Sequence, residues 1–440
     1  MRGTVGGLAA GVAVVSTIVV PPAAAQQAGA NYDEARVPAY TLPDPLRYAD
    51  GSPVRDAPDW TTKRRPELLR LFEEHVYGRR PGSPEGMRFA VLESDPRALS
   101  GLAIRRQVRA LLDGTEAGPG FEILLYVPAH GPRPVPAFLG LNFHGNQATH
   151  PDLGIHLPTT WMAEGPGVVD HRATDGTRGK DAAAWPVERI LDRGYALATV
   201  YYGDLEPDHP DGWKSGLRAR IGPGATGRFA PDDWGAIGAW AWGLSRALDY
   251  LATDPDVDGR RVAVIGHSRL GKTALWAGAE DERFAMVVSN DSGEGGAALA
   301  RRKFGERTAD ITGAFPHWFC ARYHEYAGRE EDLPVDQHEL LALVAPRPLY
   351  VASATDDLWA DPRGEFLAAK AAEPVYRLLG RAGLSVDEMP VPDRPVGDGI
   401  GYHLRRGPHA LTAYDWEQYL GFADRHLRPA RPCPTGKERE

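Results

Sequence analysis

Residues 262–272 read Val-Ala-Val-Ile-Gly-His-Ser-Arg-Leu-Gly-Lys. The first four suit a buried strand, the last few open a helical pattern, and Ser268 stands at the junction with Gly266 and Gly271 around it. A strand-to-helix turn of this kind is tight enough to need small neighbours, and it thrusts the serine hydroxyl clear of the sheet. The chemistry on offer is acyl transfer with Ser268 as nucleophile. The usual pentapeptide has glycine where this chain has Leu270, with Gly271 one place later. A serine before a helix also serves as a simple cap; the strand before it and the helix after it favour the nucleophile elbow.

A serine hydroxyl is a poor nucleophile near neutral pH, so it needs a base in hydrogen-bond reach and a carboxylate that orients the base. With this kind of elbow the chain order is Ser, acid, His, and the acid follows a late strand. The run Leu349-Tyr-Val-Ala leads into Asp356 and Asp357, and Gly407-Pro408-His409-Ala410 lies just before the last helical segment. His409 is the candidate base. Asp357 is the preferred acid, and Asp356 reads as a solvated loop residue or cap. Other histidines fit less well: His403 falls in a predicted strand over 400–405 and reads as packing, His426 falls on the exposed side of the terminal helix, and the His267 side chain is expected to point away from Ser268.

The elements that must hold these residues follow from hydrophobic period. Helices are predicted over Pro66–Val76, Trp234–Leu251, Leu270–Ala279, Glu365–Leu379 and Ala413–Leu427. Short strands over Phe89–Leu92, Ile104–Ala110, Ile123–Val127 and Ala137–Asn142, separated by Pro/Gly turns, suggest an antiparallel start to a sheet. After Gly194 strands at Ala196–Tyr201, Val262–Ile265, Met286–Ser289 and Leu349–Ala352 alternate with helices. That alternation makes a mostly parallel sheet with helices on both faces, a three-layer α/β sandwich of the α/β-hydrolase class.

Arg2, the apolar run Leu8–Val20 and the small residues Ala23-Ala24-Ala25 have the order of a secretory signal, with cleavage expected after Ala25. A retained N-terminal anchor is the alternative. The expected organisation is therefore a signal peptide at 1–25, an extended Pro-rich arm at 26–59, one catalytic domain at 60–430 and a polar tail at 431–440, in a secreted or periplasmic protein. With 50 Lys and Arg against 59 Asp and Glu, the formal charge of −9 makes neither nucleic acid nor an anionic membrane an expected partner. The two cysteines, Cys320 and Cys433, are too few to scaffold 440 residues, and their spacing does not say whether they pair.

These residues resemble the glucuronoyl esterases of carbohydrate esterase family 15. The resemblance is densest from Leu139 to His409 and rests on Gly266–Lys272, Val288-Ser-Asn-Asp-Ser-Gly-Glu-Gly-Gly296, Phe315-Pro-His-Trp-Phe319, Pro334-Val-Asp-Gln-His338, Ala345-Pro-Arg-Pro348 and Trp359-Ala-Asp-Pro-Arg-Gly-Glu-Phe366. Leu270 in place of glycine is itself the family's pattern. The resemblance implies Ser268 as nucleophile, His409 as base and Arg269 as the oxyanion residue, a role that suits a fixed donor beside developing negative charge. Some members carry a Glu after the strand that follows the elbow, where this chain has Asp291; others, mostly bacterial, use an acid where Asp357 stands. Asp357 is accordingly assigned as the orienting acid, with Asp291, shorter than Glu by a methylene, as a secondary candidate. Lys272, Glu306 and Trp359 resemble the family's sugar-contacting residues. The implied substrate is a (4-O-methyl)glucuronate ester, free or in glucuronoxylan, hydrolysed by a monomer with no metal or cofactor. An acetyl xylan esterase of the same fold, or a carbohydrate-binding protein that has lost catalysis, are the competing functions.

Overall fold

The computed structural model describes residues 29–222 and 226–428. The expected signal peptide, the polar tail and Cys433 lie outside the described residues; Cys320 is buried.

Ten strands form one sheet: β1 (Arg88–Arg97), β2 (Ala103–Leu111), β3 (Gly120–Pro128), β4 (Val135–Asn142), β5 (Ala196–Tyr201), β6 (Val257–His267), β7 (Met286–Asn290), β8 (Leu349–Ala354), β9 (Val396–Gly397) and β10 (Ile400–Arg405). Their spatial order is β1-β2-β3-β5-β4-β6-β7-β8-β10-β9. β1 to β3 pair antiparallel along the chain, and β3 meets β5 antiparallel. From β5 across β4, β6, β7 and β8 to β10 every pairing is parallel. The parallel strands are apolar on both faces because both are covered. In β6, Val262 and Val264 enter one core while Ala263 and Ile265 enter the other; in β4, Leu139 and Phe138 divide in the same way.

Five longer helices cover the sheet: α1 (Arg65–Phe72), α2 (Ala236–Leu251), α3 (Arg269–Glu280), α4 (Pro362–Leu378) and α5 (Ala413–His426). The first four contribute to one core, through residues such as Phe72, Trp240, Leu275 and Tyr376. α5 closes the opposite face with Trp416, Tyr419 and Phe422, beside the short helix Val187–Asp192. This is the three-layer sandwich expected from the alternation of strands and helices.

Several boundaries differ from expectation. The predicted helix over Pro66–Val76 is one piece of a helical stretch over 57–77, in which π-helical turns at Trp60–Arg64 and Glu73–Tyr77 flank α1. β1 runs ten residues rather than four, through the polar stretch that follows Leu92, because a register shift between Val91 and Glu93 lets it stay paired with β2. α4 begins at Pro362 rather than Glu365, since the Asp361 carboxylate accepts the Gly364 N–H and caps it. His426 is not on an exposed face: only 12% of its side chain is accessible, and its ring packs on Phe422 and faces Asp398.

Because β6, β7, β8 and β10 are parallel neighbours, their carboxyl ends open onto one edge of the sheet. The segments beginning at Ser268, Asp291, Thr355 and Arg406 therefore gather there, where ligands bind in open α/β sheets.

Candidate active site

Ser268 follows the last residue of β6 and precedes the first of α3, with φ 58° and ψ −129°. A non-glycine residue in this region costs on the order of 1–3 kcal/mol and persists only where its surroundings enforce it. Here the Ser268 N–H donates to Asn290 O at 2.9 Å, tying the turn to the neighbouring strand. A Cβ at Gly266 would stand 1.8 Å from the Leu270 carbonyl oxygen, so only glycine fits at that position. One at Gly271 would stand 3.0 Å from Ser292 Cβ and 3.2 Å from Asn290 O. The displaced glycine thus does the work of close packing against β7, and Leu270 is free to enter the core. The Ser268 side chain makes no capping bond to α3, which removes the cap reading.

The acid and the base come from the loops after β8 and β10. These loops are zipped together: Thr355 N donates to Arg405 O, Asp356 N to Gly407 O and Gly407 N to Thr355 Oγ1, at 2.8, 3.0 and 3.0 Å. Arg405 clamps the histidine loop by donating from Nη2 to Pro408 O at 2.8 Å and Ala410 O at 3.0 Å, while its Nε is held by Asp415. Within this frame His409 Nδ1 lies 2.6 Å from Asp357 Oδ2. Against a carboxylate the proton belongs on Nδ1, which leaves Nε2 as an acceptor. The His409 ring is 4.5 Å, centroid to centroid, from that of His267, the residue before the elbow serine. Among the described residues no hydrogen bond joins Ser268 Oγ to His409.

His267 does turn from Ser268 toward the sheet, where its Nδ1 is 2.7 Å from Asn290 Oδ1, but it also packs on the His409 ring. Burial and the neighbouring His409 push its pKa down to about 3, so it remains neutral and cannot compete as a base. His403 is fully buried, and beyond the expected packing both its ring nitrogens face polar partners, Nδ1 3.1 Å from the Tyr350 hydroxyl oxygen and Nε2 2.9 Å from Asp415 Oδ1. Asp356 is exposed and accepts from Thr355 Oγ1.

Asp291 reaches the same site. One of its oxygens accepts the Ala410 N–H at 3.3 Å and lies 3.5 Å from Arg405 Nη2, while the other is buried without a partner. Burial, aided by the nearby Asp357 charge, holds its carboxyl well above the ordinary carboxylate range. Asp291, Asp357 and His409 place donor atoms within 4.8 Å of one another, the one group of this kind among the described residues that could hold a metal ion. The short Asp357–His409 hydrogen bond already occupies the imidazole nitrogen that faces the carboxylates.

Arg269 starts α3 with 29% of its side chain accessible. Its guanidinium carbon stands over three rings, 4.8 Å from Trp318, 5.5 Å from Phe315 and 5.7 Å from Phe143, and its Nη1 pairs with Asp208. Asp208 also accepts from Trp318 Nε1 and faces His317 Nε2, both at 2.7 Å. Burial works to raise the Asp208 carboxyl, but the His317 and Trp318 hydrogen bonds and the Arg269 charge outweigh it and hold the pKa at about 2. None of Asp208, His317 and Trp318 had a functional role from sequence, although the last two sit in the Phe315–Phe319 motif.

Lys272, one turn along α3 from the serine, is buried; its Nζ donates to Ser292 O and lies 4.0 Å from Glu306 Oε2. Glu306 N donates to Trp359 O at 2.9 Å, so the three proposed sugar-contacting residues sit together. Burial lowers the Lys272 pKa, opposed by Glu306, and raises that of Glu306, opposed by Lys272.

The family model described as "Glucuronyl esterase, fungi" matches residues 229–380, the stretch from just before α2 to just beyond α4. A carbohydrate esterase of an unknown prokaryotic organism is 48% identical over 409 residues, covering 92% of this chain and 94% of its own. The solved structure of a glucuronoyl esterase from Solibacter usitatus superposes with a TM-score of 0.85 at 49% identity, covering 90% of this chain and 100% of that one. A 4-O-methyl-glucuronoyl methylesterase from Schizophyllum commune is 28% identical over 352 residues, 77% of this chain and 74% of that protein. With an identity near one half sustained over almost the whole length, this carboxylic ester hydrolase belongs to the glucuronoyl esterases of carbohydrate esterase family 15.

Proposed function

We propose that the protein hydrolyses esters of glucuronic and 4-O-methylglucuronic acid, with Ser268 as nucleophile, His409 as general base and Asp357 as orienting acid. The observation that carries these roles is the 2.6 Å contact between His409 Nδ1 and Asp357 Oδ2, held by two zipped loops at the same sheet edge as the strained Ser268 turn. His409 Nε2 takes the proton of Ser268 Oγ as that oxygen bonds to the ester carbonyl carbon. Arg269 faces the oxyanion that forms, and the C–O bond to the alcohol breaks as His409 returns the proton to the leaving oxygen. Water, deprotonated by the same imidazole, then attacks the acyl-enzyme and releases the glucuronate and Ser268.

Lys272, Glu306 and Trp359 support the sugar part of this reading. A buried ammonium beside a carboxylate offers donors and acceptors to ring hydroxyls, and an indole offers an apolar face to a pyranose. The names of the relatives point the same way. A role in releasing glucuronoxylan from lignin and a secreted or periplasmic location belong to the same proposal, with residues 60–430 as catalytic domain and a monomer as the working form. No helix among the described residues is long and apolar enough to cross a membrane. Comparing hydrolysis of benzyl glucuronate with that of an acetylated xylose tests the substrate class. Turnover of the glucuronate ester is expected; cleavage of the acetyl ester alone would assign the protein to acetyl-ester chemistry instead.

A further inference from the structure

Arg269 can stabilise an oxyanion only if its guanidinium is held in place, and a flexible four-bond side chain at a helix start does not hold itself. The structure holds it between aromatic rings and a single carboxylate. Trp318 lies beneath the guanidinium at 4.8 Å, and Phe315 stacks on Trp318 with centroids 3.9 Å apart and planes 4° from parallel. Asp208, 5% exposed, pairs with Arg269 Nη1 and uses its remaining capacity on the same scaffold: Trp318 Nε1 and His317 Nε2 at 2.7 Å, and the Tyr202 hydroxyl at 3.2 Å. Trp318 is therefore used twice, its ring face by the cation and its N–H by the cation's counter-ion. Asp208 engages Nη1 and 29% of the Arg269 side chain stays accessible, so donor capacity remains on a guanidinium whose position is otherwise determined. Four polar partners, one of them a cation, strongly restrict where this carboxylate can sit.

We infer that Asp208, braced by His317 and Trp318, is a positioning residue for catalysis that sets the place of the Arg269 guanidinium and acts on the reaction only through it. The inference rests on the proposed oxyanion role of Arg269. Removing Asp208 should then cost rate in the chemical step while substrate affinity, which Lys272, Glu306 and Trp359 govern, is left nearly intact. A misplaced donor loses stabilisation of the transition state and not of the ground state.

The test is a double-mutant cycle on benzyl glucuronate with Asp208→Asn, Arg269→Ala and the combined variant, reading kcat and KM separately and checking each protein by thermal melting. Asp208→Asn is expected to lower kcat by about tenfold or more with KM changed less than about twofold, and to add less than about twofold once Arg269 is alanine. Trp318→Phe keeps the ring under the cation and removes the donor to Asp208. It should lower kcat in the same sense by a smaller factor, again only when Arg269 is present, and it carries the test if Asp208→Asn does not fold. An equal loss from Asp208→Asn or Trp318→Phe in both backgrounds would overturn this inference alone. An Arg269→Ala protein with unchanged kcat would overturn the oxyanion role and this inference with it.

Discussion

Two carboxylates approach His409, and their surroundings separate them. Asp357 is on the imidazole at 2.6 Å, whereas Asp291, within 4.8 Å of both, takes the Ala410 N–H instead, with its other oxygen buried and unpartnered and a carboxyl that burial holds well above its ordinary range. A neutral acid is mimicked by an amide, so Asp291→Asn is expected to retain kcat on benzyl glucuronate within about tenfold, while Asp357→Asn should lose on the order of 10²–10⁴ because the imidazole loses its orienting charge. A larger loss in the Asp291 variant would reverse the assignment of the acid. The proposed triad of Ser268, His409 and Asp357 comes from the strand-turn-helix pattern and chain order alone, and Asp291 enters only through family resemblance. Asp208 was not legible at all: its partners Arg269 and Trp318 lie 61 and 110 residues away, and an Asp in a Pro-rich loop carries no local pattern that separates a counter-ion from a solvated turn.

At the scale of elements, the site depends on two turns that tolerate little change. Gly266→Ala is expected to leave no soluble folded protein or one destabilised by more than about 4 kcal/mol in urea unfolding, because its Cβ would meet the Leu270 backbone at 1.8 Å. Arg405→Ala removes the clamp on the histidine loop and leaves the buried Asp415 carboxylate with less compensation. A loss of about 3 kcal/mol of stability together with reduced kcat is the expected outcome, measured by denaturant titration and steady-state rates. An unchanged midpoint would show that the loop is held by the Thr355–Gly407 zipper without it. The buried strands and the helices from α2 onward were readable because continuous apolar runs and helical stripes reflect burial directly. β1 was mostly missed after Leu92, since a polar strand, with its pairing broken between Val91 and Glu93, follows tertiary pairing rather than its own residues. The π-helical turns beside α1 were missed for the same reason: no residue type announces them.

Over the whole molecule, the parallel centre brings four loops from residues 268 to 410 to one edge, and that convergence requires acids to be buried near one another. Burial raises Glu365, which accepts the Ser292 and Gly293 N–H groups, to about 7, and raises Glu294, held by Thr308 and Tyr323, to about 8. Between the ordinary value near 4.5 and these raised values, the unfolded chain has released protons that the folded protein keeps. Stability contributed by these groups therefore falls as pH rises through that window and levels off above it. Glu365→Gln removes one of them while keeping the oxygen that receives both N–H groups. It should melt close to the parent at pH 5 and about 2–5 °C above it at pH 8; a variant that melts lower at both would show that the carboxylate itself is required. The fold class was readable at this scale from the alternation of strands and helices, whereas the pairing of buried acids was not, because it depends on which loops meet. Cleavage of glucuronate esters through an ester to Ser268 leaves a covalent trace that rapid-quench peptide mass mapping during turnover of benzyl glucuronate detects. A glucuronoyl group on the peptide containing Ser268, absent from an inactive Ser268→Ala protein, is the expected result; an acyl group on another residue, or full turnover by Ser268→Ala, would contradict it.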